Sequence, residues 1–88
     1  MKAIWKYQVT GDHTQTLEMP QGAQILTVQV QQGEPVLWAL VDPALPKEKR
    51  EFFIVGTGWP IDGGLGQYVG TFQIMEGSLV FHIFEAPR

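Results

Sequence analysis

The chain has 88 residues, nine acidic and six basic side chains, a net charge of −3, ten glycines, six prolines and no cysteine. At 44% hydrophobic and 17% charged it can bury a core, which argues against disorder, and its length suits one domain spanning residues 1–88. Without cysteine there is neither a disulfide framework nor a thiolate zinc site. No apolar run nears the roughly 18 residues that span a bilayer. Lys6 and Gln8 interrupt the only apolar start, so the expectation is a soluble cytoplasmic protein without membrane contact.

No segment holds a helical period; short β-rich runs are punctuated by Gly and Pro. Ala3 to Val9 alternates Ala3, Trp5, Tyr7 and Val9 against Ile4, Lys6 and Gln8, a strand with one buried face. Thr10-Gly11-Asp12 reads as a turn, Thr14 to Met19 as a short strand, and Pro20-Gln21-Gly22 as a break.

Ala23 to Gln31 is the clearest strand, with Leu26, Val28 and Val30 on one face and Ile25, Thr27, Gln29 and Gln31 on the other. Gln32-Gly33-Glu34 turns it back antiparallel. Pro35 to Val41 is apolar on both faces, so cover on both sides is expected, the second from another subunit. Self-association, as a homodimer or higher, follows as an expectation.

Asp42 to Glu51 reads as a polar loop whose tip carries Lys47, Lys49 and Arg50. Phe52 to Val55 is a strand, and Gly56 to Gly66 an irregular glycine-rich loop around Trp59 and Pro60. Val69 to Met75 and Leu79 to Glu85 are strands joined by Glu76-Gly77-Ser78. The expected fold is all-β: a small antiparallel sandwich or partly open barrel of six to seven strands.

Catalytic chemistry has little to work with. Ser78 is the only serine, and His82 lies four residues on, roughly 13 Å away on an extended strand. His13 and His82 show no metal-ligand spacing, so no metal and no cofactor are expected. His82 reads as a partly buried histidine with a backbone partner, and His13 as a solvated turn residue. Gly56-Thr57-Gly58 begins like a dinucleotide fingerprint, but no helix can follow through Trp59-Pro60.

Trp59 and Tyr68, on and beside the glycine-rich loop, are candidate stacking platforms; the competing reading makes Trp59 a plug over one end of the fold. Lys47, Lys49 and Arg50 are candidate anion-binding cations, against the plainer reading of a solvated tip. Net acidity argues against long nucleic acid, whereas a small phosphorylated ligand needs only two or three cations.

Met1-Lys2-Ala3-Ile4-Trp5-Lys6-Tyr7, Glu18 to Gln29, Leu37 to Pro43, Phe53 to Gly58, Tyr68 to Gln73 and Leu79 to Glu85 together resemble a family of similarly short, uncharacterised proteins of bacteriophages and prophages. The resemblance covers nearly the whole chain and carries no catalytic motif. It implies an accessory protein directed at host defence, one class of which sequesters cyclic nucleotide signals as β-rich homo-oligomers.

The leading expectation is therefore a non-enzymatic protein that captures a small anionic ligand such as a cyclic dinucleotide. Trp59 and Tyr68 would stack bases, and Lys47, Lys49 and Arg50 would pair phosphates. Thr57 and the backbone amides near Gly56 and Gly58 would bind base edges. The alternative is a protein-interaction or structural module, an inhibitor of a host protein or a minor virion component.

Overall fold

The computed structural model describes residues 1–88 and contains no helix. Seven strands form: β1 (Ala3–Gln8), β2 (Thr14–Pro20), β3 (Gln24–Gln31), β4 (Glu34–Val41), β5 (Lys47–Gly56), β6 (Gln67–Ile74) and β7 (Leu79–Glu85). They make two antiparallel sheets, ordered β1-β4-β3 and β2-β5-β7-β6. The sheets face one another as an open sandwich around a shared core that includes Met19, Leu37, Ala39, Phe52, Ile54 and Ile83.

The hairpins follow from turn chemistry. Gln31 pairs with Glu34, leaving Gln32 and Gly33 as a two-residue loop with φ of 52° and 81°. Positive φ at both central positions is the twist-matched hairpin geometry, which a glycine at the second position accommodates without strain. The β6–β7 turn runs through Met75, Glu76 and Gly77, all at positive φ.

Two expectations are corrected. Lys47 to Arg50 is not a loop tip: β5 begins at Lys47, because Leu17, Glu18, Met19 and Pro20 of β2 pair with Arg50, Lys49, Glu48 and Lys47. Strict alternation in β3 fails, because a register shift between Ile25 and Thr27 displaces Leu26 and returns both Ile25 and Val28 to the inner side.

The two faces of β4 are covered differently. Leu37, Ala39 and Val41 face the core, while Val36, Trp38 and Leu40 face outward. Val36 is nonetheless only 2% exposed within the single chain. Gln8 and Gln29 flank it in register, and Lys6 Nζ donates to Gln31 Oε1 at 2.8 Å, a strut that crosses β4 diagonally at the level of Val36. Trp38 Nε1 donates to Gln29 Oε1 at 2.9 Å. Long polar side chains from the neighbouring strands thus roof the Val36 part of the outer face, while Trp38 and Leu40 stay half-buried.

Candidate sheet-face site

The outer face of the four-stranded sheet departs from the polar surface usual for a sandwich. Register aligns Phe53 of β5, Phe84 of β7 and Tyr68 of β6 in one row, and Val55, His82 and Thr71 in the next. Tyr68 stands 54% exposed, its ring edge-on to Phe84 at 5.5 Å between centroids. Alternation along β5 sends Phe53, Val55 and Thr57 to this side, and Phe52, Ile54 and Gly56 to the other.

A line of hydrogen bonds crosses this face. Tyr68 Oη lies 2.6 Å from Thr71 Oγ1, which lies 2.8 Å from His82 Nδ1. His82 Nε2 lies 2.7 Å from Thr57 Oγ1, which donates to the Val80 carbonyl at 3.3 Å. His82 was expected to hold a backbone partner; both ring nitrogens instead meet threonine hydroxyls on the two flanking segments. No carboxylate belongs to this chain of contacts. Ser78 is not part of it, because its hydroxyl donates to the Met75 carbonyl at 2.6 Å.

Trp59 lies elsewhere. Its indole covers Gly56 on the inner side, where a Cβ would come within 2.6 Å of the ring, and it meets Phe81 edge-on at 6.1 Å. The ring plugs one end of the sandwich while staying 52% exposed. His13 sits between the two regions, its ring 6.5 Å from Trp59 and 6.4 Å from Phe53, with Nδ1–H donating to the Ile54 carbonyl at 2.6 Å. His13 is exposed in the bend before β2, as the reading of a solvated turn residue expected, with this one backbone anchor added. Gly58, at φ 85°, turns the chain from Thr57 into Trp59.

The cations do not converge. Arg50 points inward and is 2% exposed, although it was expected to be free for phosphate. Its guanidinium pairs both carboxylate oxygens of Glu85, at 3.0 Å for the Nη2–Oε1 contact, and donates to the Ala23 carbonyl at 2.8 Å. Glu48 Oε2 lies 3.8 Å from Arg50 and 3.1 Å from Arg88, closing a network of two arginines and two glutamates. Lys47 and Lys49 are exposed, Lys49 opposite Glu18. Lys49 stands roughly 26 Å from Thr57 along the extended chain at ~3.3 Å per residue.

Of the residues singled out in the sequence, the structure therefore joins Tyr68 to Thr57 through His82 and Thr71, and joins Trp59 to Gly56. It leaves Lys47 and Lys49 apart from both and buries Arg50 in an ion pair. Phe53, Phe84, Thr71 and His82 were missed as site residues; the outward alternation of Val80, His82 and Phe84 was the signal for two of them.

An open polar cleft of about 440 Å³ adjoins the face, floored by Arg50 and Glu85 and walled by Gln24, Gln67 and Tyr68. Gly66, at φ 94°, shapes its rim: a methyl group there would collide with the Glu85 carbonyl oxygen. No group of three or more metal-ligating side chains is assembled, and no helix is long and apolar enough to cross a membrane.

Comparison with curated proteins and with solved structures gives no match. A family match covers residues 1–88, and the chain belongs to that family, a domain of unknown function designated DUF7352.

Proposed function

We propose that the protein is a non-enzymatic binding module that docks a polypeptide partner on the outer face of its four-stranded sheet. The observation that carries this reading is the Tyr68–Thr71–His82–Thr57 hydrogen-bond chain lying beside the Phe53–Phe84–Tyr68 aromatic row. Interface cores are enriched in aromatic residues and poor in charge, whereas small-molecule sites are concave. This face is a sheet surface, and its neighbouring cleft is open and floored by charges that already satisfy each other.

The same geometry favours a polypeptide over a small phosphorylated ligand. Stacking at Trp59 and Tyr68 would occupy different sides of the sheet, and Lys47 and Lys49, on the Tyr68 side, stand toward its other end. In the bacteriophage or prophage setting that the sequence resemblance implies, the partner would be a host protein, and the module a counter-defence inhibitor.

The test is selection of peptides from a random library on the full chain, followed by amide-resonance mapping. Binders that shift Phe84, His82 and Thr71 and lose affinity at least tenfold with Thr71→Lys support the reading. Binders confined to other surfaces, or heat on titration with cyclic dinucleotides in place of peptide binding, overturn it.

A further inference from the structure

The border strands of the two sheets are not alike. β3 and β6 each carry a register shift, between Ile25 and Thr27 and between Tyr68 and Gly70. β1 carries the exposed Lys6. β2 pairs with β5 from Thr14 to Pro20 without a shift and has no strand on its other side. The groups that β2 offers there follow from one bond. Ile54 N–H donates to the His13 carbonyl at 2.8 Å, which makes His13 and Ile54 a hydrogen-bonded pair. Such pairs recur at every second residue of an antiparallel ladder. Gln15, Leu17 and Met19 therefore turn N–H and C=O toward β5, whereas Thr14, Thr16 and Glu18 turn theirs away from it. These three residues are exposed, and their outward amides repeat at about 6.8 Å, the spacing of a further strand's partners.

The side chains beside this border give it a chemistry. Thr14 stands in the row of Phe53, and Thr16 in the row of Glu51. The two short side chains leave an open depression of about 340 Å³, lined by Thr14, Gln15, Thr16, Glu51 and Phe53. Glu51 is exposed. The ion pairs of the molecule join Arg50 and Arg88 to Glu48 and Glu85, leaving the Glu51 carboxylate without a cation. Lys49 stands in the next row, opposite Glu18. Every strand pair of the fold is antiparallel, which is also the more stable arrangement. A strand laid antiparallel along β2 sets one side chain beside Thr14, toward Phe53. The side chain two residues earlier lies beside Thr16, where a long cation crosses the threonine to Glu51.

We infer that β2 is an acceptor border for an extended polypeptide strand that carries a lysine or arginine two residues before a large apolar side chain. Main-chain pairing to Thr14, Thr16 and Glu18 supplies the attachment, and Phe53 and Glu51 supply the selection. Tyr68 and His82 stand on β6 and β7, on the far side of β5 from this border, so the surface is additional to the docking face and does not depend on it.

The experiment titrates the full chain with acetyl-Thr-Thr-Lys-Thr-Phe-Thr-Thr-amide and follows amide resonances and hydrogen exchange. The amides of Thr14, Thr16 and Glu18 should exchange freely in the free chain and become protected about tenfold or more at saturation. A peptide N-methylated at its Lys and Phe, the residues that pair with Thr16 and Thr14, should bind about tenfold more weakly. Glutamate in place of the peptide lysine should weaken binding about fivefold, and Glu51→Lys should reverse that preference. Thr16→Pro removes a border N–H that bonds nothing in the chain, so it should weaken binding while the urea midpoint stays near native. Equal affinity of the N-methylated peptide, or no binding at all, overturns strand addition. Equal affinity of the glutamate peptide, or a preference that Glu51→Lys leaves unchanged, overturns the partner's chemistry. Border amides already protected in the free chain identify a second copy as the occupant and overturn the assignment. Shifts at Tyr68 and His82 without protection on β2 belong to the sheet face and overturn it too.

Discussion

The indole of Trp59 rests on Gly56 so closely that a single methyl group at position 56 would sit 2.6 Å from Cε2. Gly56 therefore acts as the seat of a plug, and the indole's contact with Phe81 ties the glycine-rich segment to the core. Trp59→Ala should cost about 1–2 kcal/mol, below the range for a fully buried tryptophan because the residue is already half exposed. Gly56→Ala should cost a similar amount by displacing the ring. Peptide affinity at Tyr68 should change little in either variant. Urea denaturation and calorimetry on the same samples separate the two effects.

Glu85→Gln should be more damaging than its place near the chain end suggests. It leaves the Arg50 guanidinium buried opposite a neutral amide where both carboxylate oxygens had paired with it. Breaking a buried pair on one side costs about 3–5 kcal/mol, and Glu48 nearby should hold the loss to about 3 kcal/mol. The double variant Arg50→Met/Glu85→Leu should recover most of that stability. Urea midpoints at constant m would show it; equal loss in single and double variants would contradict it.

Tyr7 places a buried hydroxyl among apolar neighbours with no hydrogen-bond partner. Tyr7→Phe should raise stability by about 0.5–1 kcal/mol, since it removes a desolvated orphan. Burial also pushes the Tyr7 phenol above its ordinary value of 10.0. Below pH ~10 the neutral phenol is common to folded and unfolded chains, and the folded state keeps its full stability. Above it the unfolded chain releases the proton first, so stability falls as pH rises through the folded value. Denaturation curves between pH 9 and about 11 should therefore fall more steeply for the native chain than for Tyr7→Phe.

Gly66→Ala combines an unfavourable positive φ with a collision against the Glu85 carbonyl. The rim of the cleft would have to move, carrying Gln67 and Tyr68 with it. A loss of about 2 kcal/mol or more is expected. Amide shifts should spread along β6 and stay small in β1, which resonance mapping can check.

Much of the architecture was legible because local rules and tertiary packing agree in it. Gln32-Gly33-Glu34 announced a tight antiparallel connection, and the doubly apolar run from Pro35 to Val41 announced a strand. The first half of β5 was hidden because Lys47, Lys49 and Arg50 look like solvated charge. Arg50 is buried only because Glu85, 35 positions away, completes it. The site was half visible for the same reason. Tyr68 and Thr57 stood out by type and position, but their connection runs through His82 and Thr71. That connection depends on a strand register that includes a shift between Tyr68 and Gly70, which alternation alone does not reveal.

Gly70 shares this logic from the opposite direction. A Cβ there would lie 2.7 Å from Val28 Cγ1, so its bare backbone lets β6 settle against β3 where the two sheets meet without hydrogen bonds. The outer borders of β3 and β6 thereby shield one another from a foreign strand. Recruitment of an extended segment by main-chain pairing is left to the β1 and β2 borders, where on β1 the exposed Lys6 stands as a deterrent to unwanted fibrous growth.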